Sequence, residues 1–506
     1  ADASVVPLAR SHSRKTPAPM RRASLACVTG LVSVRGSLLR TCSRQFGASR
    51  SLCQALKEEQ ASKSTRSVQG DRTRENKAED NRRLDTVELT FFGTSSGAPT
   101  STRNQQGLGV RLGGETWLFD CGEATQHRMM ETLVMPSQVR RIFISHLHGD
   151  HIFGLPGLLC RLATSLPVGS GDTLLQIVGP PGLRAFLRVV IGNSYATLKA
   201  GNDRLRLQIH ELGGMSALKG SSSSKGSPAY SSQDMRPLPS EVEGELLLPD
   251  TDGSWPVPNP SGAAWSPMRV RAVELDHTVP TVGWVLEEEV RPGRLQAKHV
   301  LPILEQHGIP RSVLRSFKMG TPIPLPDGSE LKPADFVDKG TSRKLVILSD
   351  TRELELSSSA AVHAAGADLL IHEATNAWTE EDRRKGLSER DVHRSTRQHG
   401  HSTPQVAGAF ARGVGAKNLV LTHFSSRYCP THRPVMNEIL SFAQKAFKGR
   451  VTAATDLMQI LVNIDGTVRV VEAPPSRARR YIQSFEELRA EREREELEAS
   501  EEHATV

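Results

Sequence analysis

Apolar strands alternating with helical stretches between Val87 and Val471, several of them ending in polar residues, predict an α/β fold. Two further observations bound that class. No run of about 18 apolar residues occurs, so no membrane-spanning helix is expected. The six cysteines (Cys27, Cys42, Cys53, Cys121, Cys160 and Cys429) form no CxxC pair, which argues against a disulfide framework and a cysteine zinc site. The chain has 506 residues, 37% hydrophobic and 5% aromatic. That is lean, but enough for a sizeable core once polar segments are set aside.

The elements follow in chain order. Residues 1–53 hold nine Lys/Arg and one acid, Asp2. This is the composition of an organelle transit peptide, and Arg44-Gln45-Phe46-Gly47-Ala48-Ser49 resembles a mitochondrial processing site. Mitochondrion is favoured over plastid; cytosol or nucleus follows if the segment is not a leader. The rest of the chain balances 55 basic against 55 acidic residues. The sequence pI of about 9.3 therefore gives no ground for nucleic-acid binding by the folded part. Residues 54–85 read as a polar linker. Val87–Phe92 is an apolar strand ending in the turn Gly93-Thr94-Ser95-Ser96-Gly97. Gly107–Leu112 and Thr116–Phe119, split by Gly113-Gly114, read as a hairpin, and Arg141–Ser145 as a buried strand. Residues 216–265, with Ser221-Ser222-Ser223-Ser224 and then Pro- and Gly-rich sequence, read as a disordered insertion. Strands resume at Met268–Leu275 and Thr281–Leu286. Residues 291–339 form a separate block with little periodicity. Lys344–Leu348, Asp368–Ile371 and Asn418–Leu421 are strands with polar ends, and Val451–Ala454, Met458–Val462 and Val468–Val471 close the sheet. From Ser476 a charged helical tail is expected.

The decisive segment is Ile142-Phe143-Ile144-Ser145-His146-Leu147-His148-Gly149-Asp150-His151. An apolar strand ends, and three histidines and an aspartate follow within six residues. Imidazole and carboxylate are zinc ligands, and the alternation points His146 and His148 the same way. Gly149 lets the chain bend toward a second metal. Later strand ends offer more groups: His277 after Val273-Glu274-Leu275-Asp276, Asp350 after Leu345-Val346-Ile347-Leu348-Ser349, and His423 after Leu419-Val420-Leu421-Thr422. Each alone is a polar loop residue; together with the first cluster they complete two metal spheres.

From Val87 to about Val471 the chain resembles the metallo-β-lactamase superfamily, and within it the tRNase Z (ribonuclease Z) family of tRNA 3′-processing endoribonucleases, in its short form. The motifs are Phe92-Gly93-Thr94, Phe119-Asp120-Cys121-Gly122-Glu123-Ala124-Thr125-Gln126, Ser145–His151, Ser349-Asp350-Thr351-Arg352, His372-Glu373-Ala374-Thr375, His401-Ser402-Thr403 and Leu421-Thr422-His423-Phe424-Ser425-Ser426-Arg427-Tyr428. The resemblance implies a four-layer αββα sandwich over 86–475 with an inserted flexible arm at 291–339. It implies two zinc ions per subunit, with manganese or iron as alternatives: His146, His148 and His277 on one, Asp150, His151 and His423 on the other, Asp350 bridging. A hydroxide shared by the metals would attack the scissile phosphodiester of precursor tRNA, with Asp150 as base. His401, oriented by Glu373, would protonate the leaving 3′-oxygen. Asp120 and His372 would support the ligands through hydrogen bonds. A homodimer is implied, and a membrane is not. The runner-up is a superfamily hydrolase of small esters or phosphodiesters, which would need no arm.

For RNA contact, residues 291–320 carry Arg291, Arg294, Lys298, Arg311, Arg315 and Lys318 against one acid, Glu305. Such a patch suits recognition of tRNA by shape and phosphates. The family's arm often carries Gly-Pro at its tip, where this chain has Gly308-Ile309-Pro310-Arg311. Relatives show a Pro-x-Lys-x-Arg-Asn loop that senses the tRNA 3′ end; here it is Pro99-Thr100-Ser101-Thr102-Arg103-Asn104, with Ser101 at the lysine position. Arg103, Asn104, Arg427 and Tyr428 are the expected contacts near the cut.

Overall fold

The structure, a computed structural model, describes residues 86–166, 169, 171–215, 236–259, 268–290, 293–338 and 340–471. The expected leader, linker and charged tail lie outside them. Numbering elements of four or more residues, the first half supplies β1 (Thr86–Gly93), β2 (Gly107–Leu112), β3 (Glu115–Cys121), α1 (Thr125–Met130), β4 (Val139–Phe143), α2 (Gly149–Ile152), α3 (Leu155–Thr164), β5 (Thr173–Gly179), α4 (Leu183–Asn193) and β6 (Asp203–Leu212). The second half begins with β7 (Ser254–Val257), β8 (Met268–Leu275) and β9 (Thr281–Glu288). The arm holds α5 (Ala297–Gln306), α6 (Leu314–Lys318) and α7 (Pro333–Phe336). Then come β10 (Lys344–Ile347), α8 (Ser359–Ala364), β11 (Leu369–Glu373), α9 (Glu380–Arg384), α10 (Glu389–Gln398), α11 (Pro404–Gly413), β12 (Asn418–Thr422), α12 (Arg433–Ala446), β13 (Arg450–Ala453), β14 (Gln459–Asn463) and β15 (Val468–Val471).

Two sheets result. The first runs β6-β5-β4-β3-β2-β1-β14-β15, with Leu246–Leu247 beside β6. The second runs β7-β8-β9-β10-β11-β12-β13. In the first, β3 through β6 are parallel, and in the second, β10 through β13 are. Alternation along the strands sends one set of side chains between the sheets, where Trp117, Phe119 and Phe143 meet Trp284, Ile347 and Ile371. Phe143 and Trp284 lie 5.0 Å apart, centroid to centroid. The opposite faces are covered by helices. Leu158, Leu159 and Leu187 pack on the first sheet, and Ala407, Phe410 and Ile439 on the second. Helix, sheet, sheet, helix is the predicted four-layer order.

The insertion departs from expectation. Residues 216–235 and 260–265 lie outside the described residues, but 236–259 is built into the fold. β7 pairs antiparallel with β8, in register Trp255 with Ala272 and Val257 with Val270. Trp255 and Val257 are buried in the inter-sheet core. Pro256 is tolerated because β7 is an edge strand and needs no second ladder partner. The disordered reading is thus corrected for this stretch: its proline hid a Trp-x-Val strand pattern.

The arm between β9 and β10 has a small core of its own, Val300, Leu304, Phe317, Ile323 and Leu331. Its two ends run side by side, with Asp338 donating to the Arg294 carbonyl and Gln296 to that of Phe336. No helix among the described residues is long and apolar enough to cross a membrane.

Candidate metal centre

Parallel strands put their carboxyl ends on one edge, and polar side chains collect just beyond it. β4 leads to His146, β10 to Asp350, β11 ends in Glu373, and β12 leads to His423. β8 contributes His277 from the loop before β9. The two sheets are tied at this edge: Val282 donates to the Ser145 carbonyl, and Ser349 Oγ donates to Ser145 Oγ at 2.8 Å.

The geometry brings together two main clusters, and a third group, Asp350, His401 and His423, shares one member with each. His146, His148, His277 and Asp350 form one, and Asp150, His151 and His423 the other, with ligand atoms in each within 4.8 Å of one another. His146 Nε2 lies 3.1 Å from His148 Nδ1, which lies 3.3 Å from His277 Nε2. His151 Nε2 and His423 Nε2 are 3.1 Å apart. Tetrahedral zinc with Zn–N bonds of about 2.0–2.1 Å sets its nitrogens roughly 3.3 Å apart. Asp350 spans both clusters. Its Oδ2 is 3.6 Å from His146 Nε2 and its Oδ1 3.3 Å from His423 Nε2. Oδ1 is buried and makes no hydrogen bond. An ionised oxygen left so among imidazoles is costly unless a cation sits there. The residues present therefore fit metal ions.

The far nitrogens are tied in ways that aim the near ones. His277 Nδ1 donates to the Gly400 carbonyl at 2.7 Å, leaving Nε2 a lone pair for metal. Gly400 has φ +88°, and a Cβ there would stand 2.5 Å from His277 Nδ1, so only glycine brings this carbonyl so close. His151 Nδ1 donates to Asp120 Oδ2 at 2.7 Å. Asp120 also accepts from Ser145 N–H at 2.7 Å and Ser145 Oγ at 2.8 Å. His423 Nδ1 sits 3.0 Å from Thr375 Oγ1, which donates to Glu373 Oε2 at 2.6 Å. Glu373 Oε1 accepts from Thr351 N–H at 2.7 Å and from His401 Nδ1 at 3.1 Å. Asp150 Oδ2 accepts from Gly97 N–H at 2.7 Å.

The electrostatics agree with the donor set. Burial, then the neighbouring His151, holds His146 well below the usual imidazole range, and burial lowers His277 to about 4. Both are thus neutral, the ligand form. At His151 burial is outweighed by Asp350 and Asp120, which favour positive charge there, the same field that attracts a cation. Burial alone would raise Asp350, but His423, His151 and His146 hold it well below the carboxylate range.

Comparisons with known proteins place the chain in a family. A family model described as anti-Pycsar protein Apyc1 matches residues 87–164, the stretch with the first four ligands. Zinc phosphodiesterase ELAC protein 1 of Homo sapiens is 33% identical over 387 residues, 75% of this chain and 97% of its own. Ribonuclease Z of Streptococcus pneumoniae is 33% identical, over 68% of this chain and 90% of its own. The chain belongs to the ribonuclease Z family. Its two-sheet sandwich is the metallo-β-lactamase fold, and it is a phosphodiester-hydrolysing enzyme of the endoribonuclease class. The crystal structure of the human short-form tRNase Z resembles it at 26% identity and TM-score 0.45, covering 76% of this chain and 99% of that one.

Several residues expected to touch substrate are instead buried. Arg103 is fully buried. Its guanidinium donates to the Tyr428 and Ala454 carbonyls and to Thr94 Oγ1, and lies 4.5 Å from the Phe424 ring centre. Asn104 is buried, its N–H given to Asp456 and its amide to the Glu123 carbonyl. Tyr428 is buried with its hydroxyl on the Ala377 carbonyl. Arg103, Asn104 and Tyr428 are therefore corrected from RNA contacts to braces of the loops that shape the site. Arg427 is partly exposed but paired with Asp382 at 2.6 Å. His372 neighbours Glu373 on β11 and so points to the other face, against Phe410 of α11. Its Nδ1 bonds only the Glu373 carbonyl, so it does not support the ligands directly. Arg294, Lys298, Arg311, Arg315 and Lys318 are exposed on the arm, Arg311 paired with Glu305. Arg291 lies outside the described residues. Ser145, Thr375 and Gly400 were given no role in the sequence reading, although each lies within two residues of an assigned group.

Proposed function

We propose that this enzyme cuts precursor tRNA at its 3′ end, removing the trailer and leaving a 3′-hydroxyl ready for CCA addition. The observation that carries the reading is the pair of ligand clusters joined by Asp350 with the His401–Glu373 pair on the same edge. Two zinc ions, or manganese or iron in their place, would be held by His146, His148 and His277 and by Asp150, His151 and His423, with Asp350 offering one oxygen to each. When bound, they supply Lewis acidity and an activated water for in-line attack on phosphorus. Asp150, anchored by Gly97, is placed to take a proton from the attacking water. His401 Nδ1 is engaged by Glu373, which leaves Nε2 to give a proton to the departing 3′-oxygen. Burial opposes charge on His401, but the Glu373 and Asp350 carboxylates outweigh it and raise the ring to about 9. It therefore carries that proton at neutral pH.

The exposed cations Arg294, Lys298, Arg315 and Lys318 support phosphate contact by the arm, away from the cut. The resemblance to the short form supports a homodimer, checked by sedimentation. The basic composition of residues 1–53 supports import into an organelle, mitochondrion before plastid, checked with a reporter fusion. The deciding experiment is cleavage of unprocessed precursor tRNA by the purified chain, with zinc, with a chelator, and with His148→Ala. One metal-dependent cut beside the discriminator nucleotide, lost in the variant, is expected. Hydrolysis of a small phosphodiester with no cut in precursor tRNA would overturn the substrate assignment.

A further inference from the structure

The turn that carries four ligand groups also holds an aromatic ring out to solvent. Ile152 and Leu155 are fully buried, yet Phe153 between them is 63% exposed. Burying a phenylalanine side chain is favourable, and this one forgoes most of that gain. Its position is set from two sides. Phe153 N–H donates to the Gly149 carbonyl at 2.9 Å, and its ring lies against Gly149, where a Cβ would meet Phe153 Cε2 at 2.3 Å. The ring therefore sits on the residue between His148 and Asp150, which belong to different clusters. No other aromatic ring stacks on it among the described residues. Isolated exposed apolar residues are ordinary. The other exposed aromatic in the described residues, Tyr195, follows α4, which runs back from the carboxyl end of β5 and so ends at the far edge of the sheet. Among the exposed aromatics of the described residues, Phe153 is the one that borders the candidate ligands.

We propose that Phe153 is a positioning residue that stacks on a nucleobase flanking the scissile phosphate. The inference rests on the RNA substrate proposed above. RNA near a cut in a single-stranded trailer has unstacked bases, and proteins hold such bases on aromatic faces. A phenyl ring offers no hydrogen bond, so the grip tolerates any base, which suits trailers of varied sequence. Fixing the base beside the phosphate fixes the phosphate over the ligand clusters, and Gly149, lacking a Cβ, leaves room for the ring beside them.

The test is steady-state cleavage of precursor tRNA by the intact chain and by F153A, F153L, F153Y and F153W, on RNA with and without an abasic nucleotide on either side of the cut. Stacking on one base is worth about 1–3 kcal/mol, or about 5- to 150-fold. F153A and F153L should lose that factor in kcat/KM, with F153Y and F153W within about threefold of the parent. Leucine keeps the apolar volume without the π face, so it separates stacking from packing. An abasic site at the stacked position should cost the parent the same factor and F153A nothing further. Tyr195→Ala serves as the distant control. F153L as active as the parent, or an abasic penalty undiminished in F153A, overturns the inference. A parent that cuts no precursor tRNA but hydrolyses a small phosphodiester overturns the substrate reading and this inference with it.

Discussion

Asp120→Asn isolates the part of the site that aims a ligand without touching metal. Asp120 is buried at φ 58°, a left-handed conformation that asparagine also accepts, so the backbone should hold. The carboxylate takes three donors: Ser145 N–H, Ser145 Oγ–H and His151 Nδ1–H. Asparagine has one acceptor oxygen. The backbone N–H of Ser145 cannot turn away, so that oxygen goes to it. The new amide N–H then confronts His151 Nδ1. Ser145 Oγ can become an acceptor, but His151 can do so only by moving its proton to Nε2. That atom is the one facing His423, Asp150 and Asp350. A protonated Nε2 cannot bind metal. Losing such a ligand-supporting bond costs about 10- to 100-fold in metal affinity, which corresponds to about 1.4–2.7 kcal/mol. The loss should fall on the Asp150–His151–His423 cluster alone. Competition titration of metal-free protein against a chromophoric chelator reads both affinities. One should weaken by that factor while the other stays within about threefold. Two unchanged affinities would refute the reasoning and reduce Asp120 to a loop brace.

Four further outcomes are expected. Arg103→Ala removes the donors of two buried carbonyls, at about 1–3 kcal/mol each, so a fall of about 2–6 kcal/mol in denaturant unfolding is expected without a selective rise in KM. His401→Ala should lower kcat by about 10²–10⁴ on natural RNA. A bridging 3′-sulfur, which leaves without a proton, should restore the rate, and no rescue would remove His401 as the donor. Arg315→Ala and Lys318→Ala should each flatten the salt dependence of tRNA binding by about 0.7–0.9 in log–log slope if they meet phosphates; an unchanged slope excludes that contact. We further hypothesise, from Ser101 at the lysine position of the 99–104 loop, weak discrimination against CCA-bearing tRNA. Near-equal rates on precursors with and without CCA are expected, and Ser101→Lys should separate them.

The candidate ligands were legible because the first of each set stands where an apolar run breaks. A histidine or aspartate just past Ile142-Phe143-Ile144 or Leu345-Val346-Ile347-Leu348 must lie at a strand end, and parallel strands bring such ends to one edge. Position along the chain was enough. The loop contacts needed something more, the direction of a side chain. Arg103 carries a charge and belongs to a motif, and both suggest solvent. Yet its loop folds under Phe424 and the start of α12, and two buried carbonyls draw the guanidinium inward. No pattern in the local sequence encodes those carbonyls, because they come from residues 325 and 351 positions away.

Strand alternation shows where the reading could have gone further. If Glu373 faces the site from the end of β11, His372 cannot, since neighbours on a strand point to opposite faces. The same logic applied to Ser254-Trp255-Pro256-Val257 marks Trp255 and Val257 as one buried face and Pro256 as the exposed side of an edge strand. Composition misled there because proline and glycine were counted as loop residues rather than placed in register. The hydroxyls that complete the network follow a third rule. Ser145, next to His146, and Thr375, two residues from Glu373, bring short hydroxyls to an imidazole nitrogen and a carboxylate, and Ser349, next to Asp350, donates to Ser145 Oγ. What positions chemistry in this enzyme is therefore largely local to its strand ends, whereas what braces the surrounding loops is assembled from both ends of the chain.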